Sequence, residues 1–417
     1  MDSNTPYIDL NSVLCSISLA LDLAEACALN DRYRKIDFEP LPGFNAKKHN
    51  FSSHSKRTAV VAHTIAQKLN FTDDRSKNLH IASLMHDIGA VDAFSVCHSE
   101  KKFIREHSDF GSDIIKKLPV DSSISIFIKY HHENQNGSGP NCLKGCEIPQ
   151  ESQIIHLADM FELMYKDELP YWSQKDSILE WIKSAKGALF SCDTVDALLA
   201  AAESERFWLD IVNINSDPDI LTRVSPVIPT PIALDTFTDI ALVFAALIDK
   251  KSAFTHEHSV GLSEHAFKLS KLYSFSSEKT LKLGIAALLH DLGKLSIPNH
   301  ILDKPGKLTN EEYTIIKSHT YYTKLILKKI KGMEDIAEWA ANHHETLLGT
   351  GYPEGLGPEK LSQESRILAV CDIFQALTEA RPYRDGMPIE KAFSIMDSMV
   401  QKGNIDSKVV GDLKDII

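Results

Sequence analysis

A set of polar residues occurs twice in this chain in the same order, and that repetition decides its architecture. His54, His86, His107, His131 and Asp159 are followed by His258, His290, His319, His343 and Asp372. The separation is identical for the first two pairs, and slightly longer and again nearly constant for the other three. Such regularity over five positions marks two copies of one unit of roughly 200 residues, a duplication and not a long solenoid. In both copies the second histidine is followed by aspartate (His86-Asp87, His290-Asp291), and the fourth by another histidine (His131-His132, His343-His344). Neighbouring side chains on a helix point about 100° apart. A His-His pair is therefore not a core-packing pattern, and a shared ligand, a metal first of all, would use both.

Around these positions the chain reads as almost entirely helical. Val13–Glu25 has helical apolar spacing that extends toward Leu29, and a polar excursion runs from Asn30 to Phe51. Ser55–Leu69 and Ser76–Met85 are helical by spacing, and His86-Asp87-Ile-Gly89 closes the latter, with glycine as the stop. Asp159 lies in an apolar helix from Ile154 to Met164, Leu179–Leu209 reads as two helices, and Leu283–Leu289 leads into His290. Between Asn215 and Asp235 stand Pro218, Pro226, Pro229 and Pro231 with little helical period, which predicts a boundary. The expectation is an all-α chain of two tandem helical bundles, residues 1–214 and 235–417, joined by a linker at 215–234. Its 417 residues suffice for two such cores.

Composition narrows the function classes. The net charge of −12 argues against a duplex DNA or RNA binder, because phosphate contacts reward basic surface. A small anionic substrate remains compatible if metals and a few Lys or Arg supply local positive potential. Seven cysteines, an odd number, suit a reducing cytoplasm better than a disulfide framework. Cys142 and Cys146 have no second pair at zinc spacing and read as loop thiols. The N-terminus has no basic leader, and the apolar run Ile240–Ile248 is bracketed by Asp239 and Asp249. A bilayer span needs about 20 apolar residues, so the expectation is a soluble cytoplasmic protein without membrane insertion.

The second copy carries the complete chemistry. His258, His290, Asp291, His319, His343, His344 and Asp372 form an all N/O donor set, which suits Mn, Fe, Ni, Co or Zn better than soft thiolate chemistry does. Seven donors exceed one tetrahedral site and, with a bridging carboxylate, fit two metals. Lys294 follows His290 by four positions and Asp291 by three, which returns it to their face if the helical turn continues. A cation there makes sense when an anion sits between it and the metals. The lone His256, His265 and His300 are assigned no role.

With these motifs the second half, from Asp239 to about Ile417, resembles an HD-GYP domain, a branch of the HD metal-dependent phosphohydrolases that hydrolyses cyclic dinucleotides. Phe254-Thr255-x-x-His258-Ser is similar to the family's entry motif, and His290-Asp291-x-x-Lys294 to its HD-x-x-K signature. Leu302-Asp-Lys304-Pro305-Gly-Lys307-Leu-Thr resembles the substrate-side loop. His343-His344-Glu345 through Gly351-Tyr352-Pro353 matches the naming motif, and Arg366 to Asp372 with Arg381-Pro382-Tyr383-Arg384 completes the likeness.

The resemblance implies that the seven donors ligate two divalent transition metals, Fe or Mn first and Ni, Co or Zn as alternatives, with Asp291 bridging. It implies Lys294 on the scissile phosphate, and Lys304, Lys307, Tyr352, Arg366, Arg381 and Arg384 around the substrate. The implied activity is a phosphodiesterase opening cyclic di-GMP to the linear dinucleotide, and on to mononucleotide after a second cut. 3′,3′-cyclic GMP-AMP is the alternative substrate, and a non-catalytic, nucleotide-responsive interaction protein the alternative of another class. A homodimer or a signalling-protein partner is compatible with it. Three departures stand out: Phe254 occupies the position of a third-metal glutamate, and Leu348 and Gln375 replace common aspartates.

The first half resembles the same family in degenerate form. His54, His86, Asp87, His107, His131, His132 and Asp159 fill every ligand position, but Ala90 stands in the place of Lys294, and Gly137-Ser-Gly139-Pro140 lacks the tyrosine. The expectation is a copy that binds metal with weak or no turnover.

Overall fold

A computed structural model describes residues 7–29, 53–90, 101–217, 219–224, 230–251, 258–304, 306–380 and 385–417. Among them the regular structure is helical, apart from one antiparallel pairing of Ile8–Asp9 with Pro231–Ile232 and an isolated parallel bridge between Lys186 and Phe190. Its contacts divide into two compact units, Ile17–Pro229 and Met1–Ser16 with Thr230–Ile417. The division falls inside the helix Leu10–Leu29, so the N-terminal strand groups with the second copy and not with the 1–214 segment expected from the sequence.

The helices of the two units repeat as the polar residues do. His54–Lys68 and Asp73–Met85 in the first unit correspond to His258–Leu272 and Ser277–Leu289 in the second, with the same displacement at both ends of each helix. Gln150–Met164 corresponds to Gln363–Thr378. Local chemistry sets the starts. The Thr72, Ser276 and Ser362 hydroxyls accept from backbone N–H groups of the first turn, and Thr309 with Glu312 forms a reciprocal cap on Asn310–Leu327. Leu283, Ile285, Ala286, Ala287, Leu288 and Leu289 are all buried, so Ser277–Leu289 delivers His290 and Asp291 into protein interior.

Three expectations change. The Leu179–Leu209 stretch holds parts of three helices, Tyr171–Ala185, Cys192–Ala202 and Glu205–Val212. Left-handed Gly187 (φ 77°) and the Ser191 cap, whose hydroxyl accepts from Thr194 N–H, end one helix and begin the next. The 215–234 linker contains a short helix, Ile220–Val224, and the strand Pro231–Ile232; Pro218, Pro226 and Pro229 lie outside the described residues, as does the excursion from Asn30 to Phe51. Finally, Ile240–Ile248 is too short for a bilayer span, but among the described residues Leu10–Cys27 is long and apolar enough to cross one; 67% of it is buried within the protein. Cys142 and Cys146 are exposed free thiols.

The packing that places the site is a close helix crossing. A Cβ on Gly293 would stand 2.0 Å from the His319 carbonyl oxygen and 2.7 Å from Thr323 N, so only glycine lets the His290–Lys294 turn lie on Asn310–Leu327. Gly293 N–H donates to Thr323 Oγ1 (2.9 Å), which in turn donates to the His290 carbonyl (3.1 Å). Gly89 makes the same approach in the first unit, where a Cβ would stand 2.0 Å from His107 O. Gly293→Ala should therefore separate the two segments and destabilise the second unit by about 1–3 kcal/mol, read as a lowered denaturation midpoint. An unchanged midpoint would mean that this crossing does not hold the site.

Candidate metal centre

Each candidate donor of the second unit sits at an element end or on an inward helix face. His258 begins His258–Leu272, His290 and Asp291 follow the last turn of Ser277–Leu289, and His343 and His344 form a 3-10 turn. His319 and Asp372 lie within Asn310–Leu327 and Gln363–Thr378. The helical frame also fixes the rings. Nδ1 of His290, His319 and His343 donates to the carbonyl three positions back, of Ala287 (2.8 Å), Ile316 (2.6 Å) and Ala340 (2.6 Å). That sets the tautomer and turns each Nε2 lone pair inward.

The inward atoms converge on Asp291. Its Oδ2 lies 3.1 Å from His290 Nε2, while its Oδ1 lies 3.3 Å from His319 Nε2 and 3.9 Å from His343 Nε2. Asp372 Oδ1 is 3.3 Å from His258 Nε2 and 3.8 Å from His290 Nε2, and its Oδ2 is 3.9 Å from His344 Nδ1. Two donor groups result, His258-His290-Asp372 and His319-His343-His344, with Asp291 between them. The Nε2 atoms of His319 and His343 face each other at 3.4 Å with their ring protons already committed at Nδ1. Two opposed lone pairs, together with buried Asp291 Oδ1 and His290 Nε2 atoms that lack a hydrogen-bond partner, are costly as they stand. Divalent cations fit that donor set.

The electrostatics agree. Burial alone would raise the Asp291 carboxyl, but His290 and Lys294 hold it well below the usual carboxylate range. Burial pushes His319 down to about 3 and also lowers His343 and His344, which keeps all three neutral and able to ligate. His258 differs. Burial opposes its charging, but the Asp372 and Glu379 carboxylates prevail and push it up to about 10, so a cation bound there must displace a proton.

The first unit repeats this geometry. Asp87 Oδ2 lies 3.4 Å from His54 Nε2 and 3.3 Å from His86 Nε2; Oδ1 lies 3.5 Å from His107 Nε2 and 3.8 Å from His131 Nε2. His132 and Asp159 complete the set at 3.1 Å from His107 Nε2 and 3.5 Å from His54 Nε2. All seven residues are buried, whereas the His344 side chain of the second unit is 30% exposed. Ala90 is buried where Lys294 reaches the solvent side. The second centre thus has one partly exposed donor where the first has none.

Beside His344 lies the aromatic loop. The Tyr352 ring centroid is 4.9 Å from that of His344 and 6.4 Å from that of Tyr313. The loop is folded tightly onto the histidines: a Cβ on Gly351 would stand 2.4 Å from Glu345 Cα and 2.5 Å from His344 O. Buried Glu345 clamps it by accepting the N–H groups of Glu354 (2.7 Å), Gly355 (3.1 Å) and Leu356 (2.9 Å).

Among the residues expected around a substrate, Lys294 ion-pairs with Asp291 Oδ2 at the mouth of the centre. Lys304 is paired with Glu312 (2.6 Å), and Lys307 is exposed. Arg366 is committed to the protein, binding Asp406 (3.1 Å) and the Leu361 and Pro358 carbonyls, so it pins a loop to the cap of Ser407–Ile416. Arg381 and Arg384 lie outside the described residues. The sequence reading missed Glu345, Thr323 and Glu379. Of these, Glu345 had a visible signal. Glu133 follows His131-His132 as Glu345 follows His343-His344, and it binds its own loop at Asn141 N (2.6 Å) and Leu143 N (2.9 Å). Glu345→Ala should remove the charged acceptor of three loop N–H groups and lower stability by about 1–3 kcal/mol, measured by chemical denaturation; a loss below experimental error would refute the clamp.

Comparison with known proteins agrees with the geometry. A family model described as "HD domain" matches residues 44–183 and 242–409. The chain is 30% identical over 372 residues to 3′3′-cGAMP-specific phosphodiesterase 1 of Vibrio cholerae, covering 86% of this chain and 85% of that protein. It is 33% identical over 319 residues to 3′3′-cGAMP-specific phosphodiesterase 3 of the same organism, covering 75% and 67%. A cyclic di-GMP phosphodiesterase of Pseudomonas aeruginosa is 32% identical over 170 residues, 40% of this chain and 41% of that one. The crystal structure of a cyclic GMP-AMP specific phosphodiesterase from V. cholerae shares the fold at a TM-score of 0.66 and 24% identity, covering 98% of each chain.

Proposed function

The chain belongs to the HD domain family, and on that premise we propose that it is a metal-dependent phosphodiesterase that opens a cyclic dinucleotide at the centre of its second unit. The observation that carries this reading is Asp291, whose two carboxylate oxygens turn to different histidine groups. His258, His290 and Asp372 would hold one metal and His319, His343 and His344 the other, with Asp291 bridging. The N/O donors suit Fe, Mn, Ni, Co or Zn, and the family resemblance puts Fe or Mn first. When bound, two such metals supply a water activated near neutral pH and draw on phosphoryl oxygens.

The chain's own groups do the rest. Lys294, paired with Asp291 here, exchanges that partner for an arriving phosphodiester and places positive charge where negative charge grows during attack. Tyr352, beside His344, offers an aromatic face to the nucleotide. Attack at phosphorus breaks one P–O bond, the freed sugar hydroxyl takes the proton, and a linear dinucleotide leaves. Among substrates we put 3′3′-cGAMP first, since the two relatives matched over 75% or more of this chain carry that name. Cyclic di-GMP, first on the motifs alone, is supported by two relatives of that name matched over 40% of this chain, although a third relative matched over the same share is named for 3′3′-cGAMP.

In the first unit, His54, His86, Asp87, His107, His131, His132 and Asp159 would hold metal without turnover. Ala90 supplies no cation for a phosphate, and the donors are buried. Catalysis is thus assigned to 235–417.

Both cyclic dinucleotides should be offered side by side to the full-length protein with Mn or Fe, and linear products resolved by chromatography. Asp291→Ala should abolish hydrolysis together with metal in the second unit. Lys294→Ala should retain metal and lose about 100- to 1000-fold in rate. His86→Ala with Asp87→Ala should lower metal content while most hydrolysis survives; loss of activity in a folded chain whose second unit is still metallated would overturn the division of labour.

A further inference from the structure

Resting on the metal reading above, one residue outside the ligand set takes a role through its neighbour. His54 and His258 are the first residues of their helices, and their Nδ1 atoms turn to a carboxylate where those of His290, His319 and His343 turn to a carbonyl. Glu162 Oε2 lies 2.6 Å from His54 Nδ1, and Glu379 Oε2 lies 2.9 Å from His258 Nδ1.

The two glutamates are not equivalent in the repeat. Glu162 stands three positions after Asp159, and the displacement that carries Asp159 to Asp372 carries Glu162 to Gln375. Glu379 stands seven positions after Asp372, one helical turn beyond Gln375. Positions three and seven lie on the same helix face, so either can address the same imidazole.

A second difference accompanies the first. Buried Arg57 of the first unit holds Asp167 (2.9 Å) and comes within 3.7 Å of Glu162 Oε1. The displacement that carries His54 to His258 puts Gly261 at the position of Arg57. A Cβ on Gly261 would stand 2.7–2.8 Å from the Gln375 side-chain amide, so that amide lies against the helix backbone in the space the glycine leaves. A buried carboxylate at this position is balanced by a guanidinium in the first unit. In the second unit glycine supplies no such charge, and a neutral amide avoids the desolvation cost.

We infer that Glu379 is the positioning residue for His258, and that Gly261, Gln375 and Glu379 together replace Arg57 and Glu162 of the first unit. Glu379 holds the His258 ring with Nε2 toward Asp372 and raises the basicity of that nitrogen toward a cation. Partners of this kind typically govern metal affinity by about 10- to 100-fold.

Mn²⁺ titration of the metal-stripped full-length chain, followed by the electron paramagnetic resonance signal of free Mn²⁺, tests this, with the denaturation midpoint of each metal-free variant measured alongside. Glu379→Ala should weaken the sites removed by Asp291→Ala by about 10- to 100-fold without moving the midpoint. Glu379→Gln, which preserves shape, should do the same. Adding Gln375→Glu to Glu379→Ala should restore most of the lost affinity, because the carboxylate then returns to the place it has in the first unit. Wild-type affinity in Glu379→Ala and Glu379→Gln, or no recovery in the double variant, would overturn the inference while leaving the ligand set standing. Absence of any Mn²⁺ or Fe²⁺ site sensitive to Asp291→Ala in the wild-type background would overturn the metal reading itself, and this inference with it.

Discussion

A buried carboxylate shared between two groups of imidazoles is the constraint from which the rest of each unit follows. Asp291 and Asp87 each direct one oxygen to one histidine group and the second oxygen to the other. Concentrating so many donor atoms in protein interior is unfavourable without positive charge among them. Helix carbonyls accept from the outward ring nitrogens of His290, His319 and His343, glutamates face those of His54 and His258, and the inward lone pairs have a cation as their natural partner. On the proposed reading metal binding is coupled to folding, because the helices impose the geometry of the donors.

The close crossing at Gly293 shows how backbone packing serves that arrangement. The segment carrying His290 and Asp291 must approach the helix carrying His319 to within hydrogen-bonding distance of its backbone, and Thr323 bonds the two together. In the first unit Gly111 stands where Thr323 stands, and the helices meet through the glycines themselves, with a Cβ on Gly89 2.4 Å from Gly111 N. The two units reach one ligand geometry through different contacts.

What separates the copies is access and charge at the rim. Lys294, Tyr352 and the partly exposed His344 border the second centre, whereas Ala90, Pro140 and a buried His132 stand at the matching positions in the first. A donor set can be preserved while the surroundings that handle a phosphate are lost. The fully buried donors of the first unit support the proposed division, with catalysis assigned to the second.

The sequence by itself determined the duplication, the helical class and the two candidate donor sets that the structure brings together, because the polar residues recur at nearly fixed displacements and apolar spacing follows the helical period. Helix boundaries around Ser191 and the grouping of the N-terminal strand were not legible in this way, since they depend on caps and on a strand pairing that spans the whole first copy. Arg366 looks in sequence like a substrate contact, but the fold gives its guanidinium to Asp406 and two carbonyls. Glu379 breaks the repeat displacement and looks in sequence like a tail residue after Thr378. Only the tertiary structure brings its carboxylate to His258, because positions three and seven along one helix reach the same point in space, and a count along the chain does not distinguish which of them will be used.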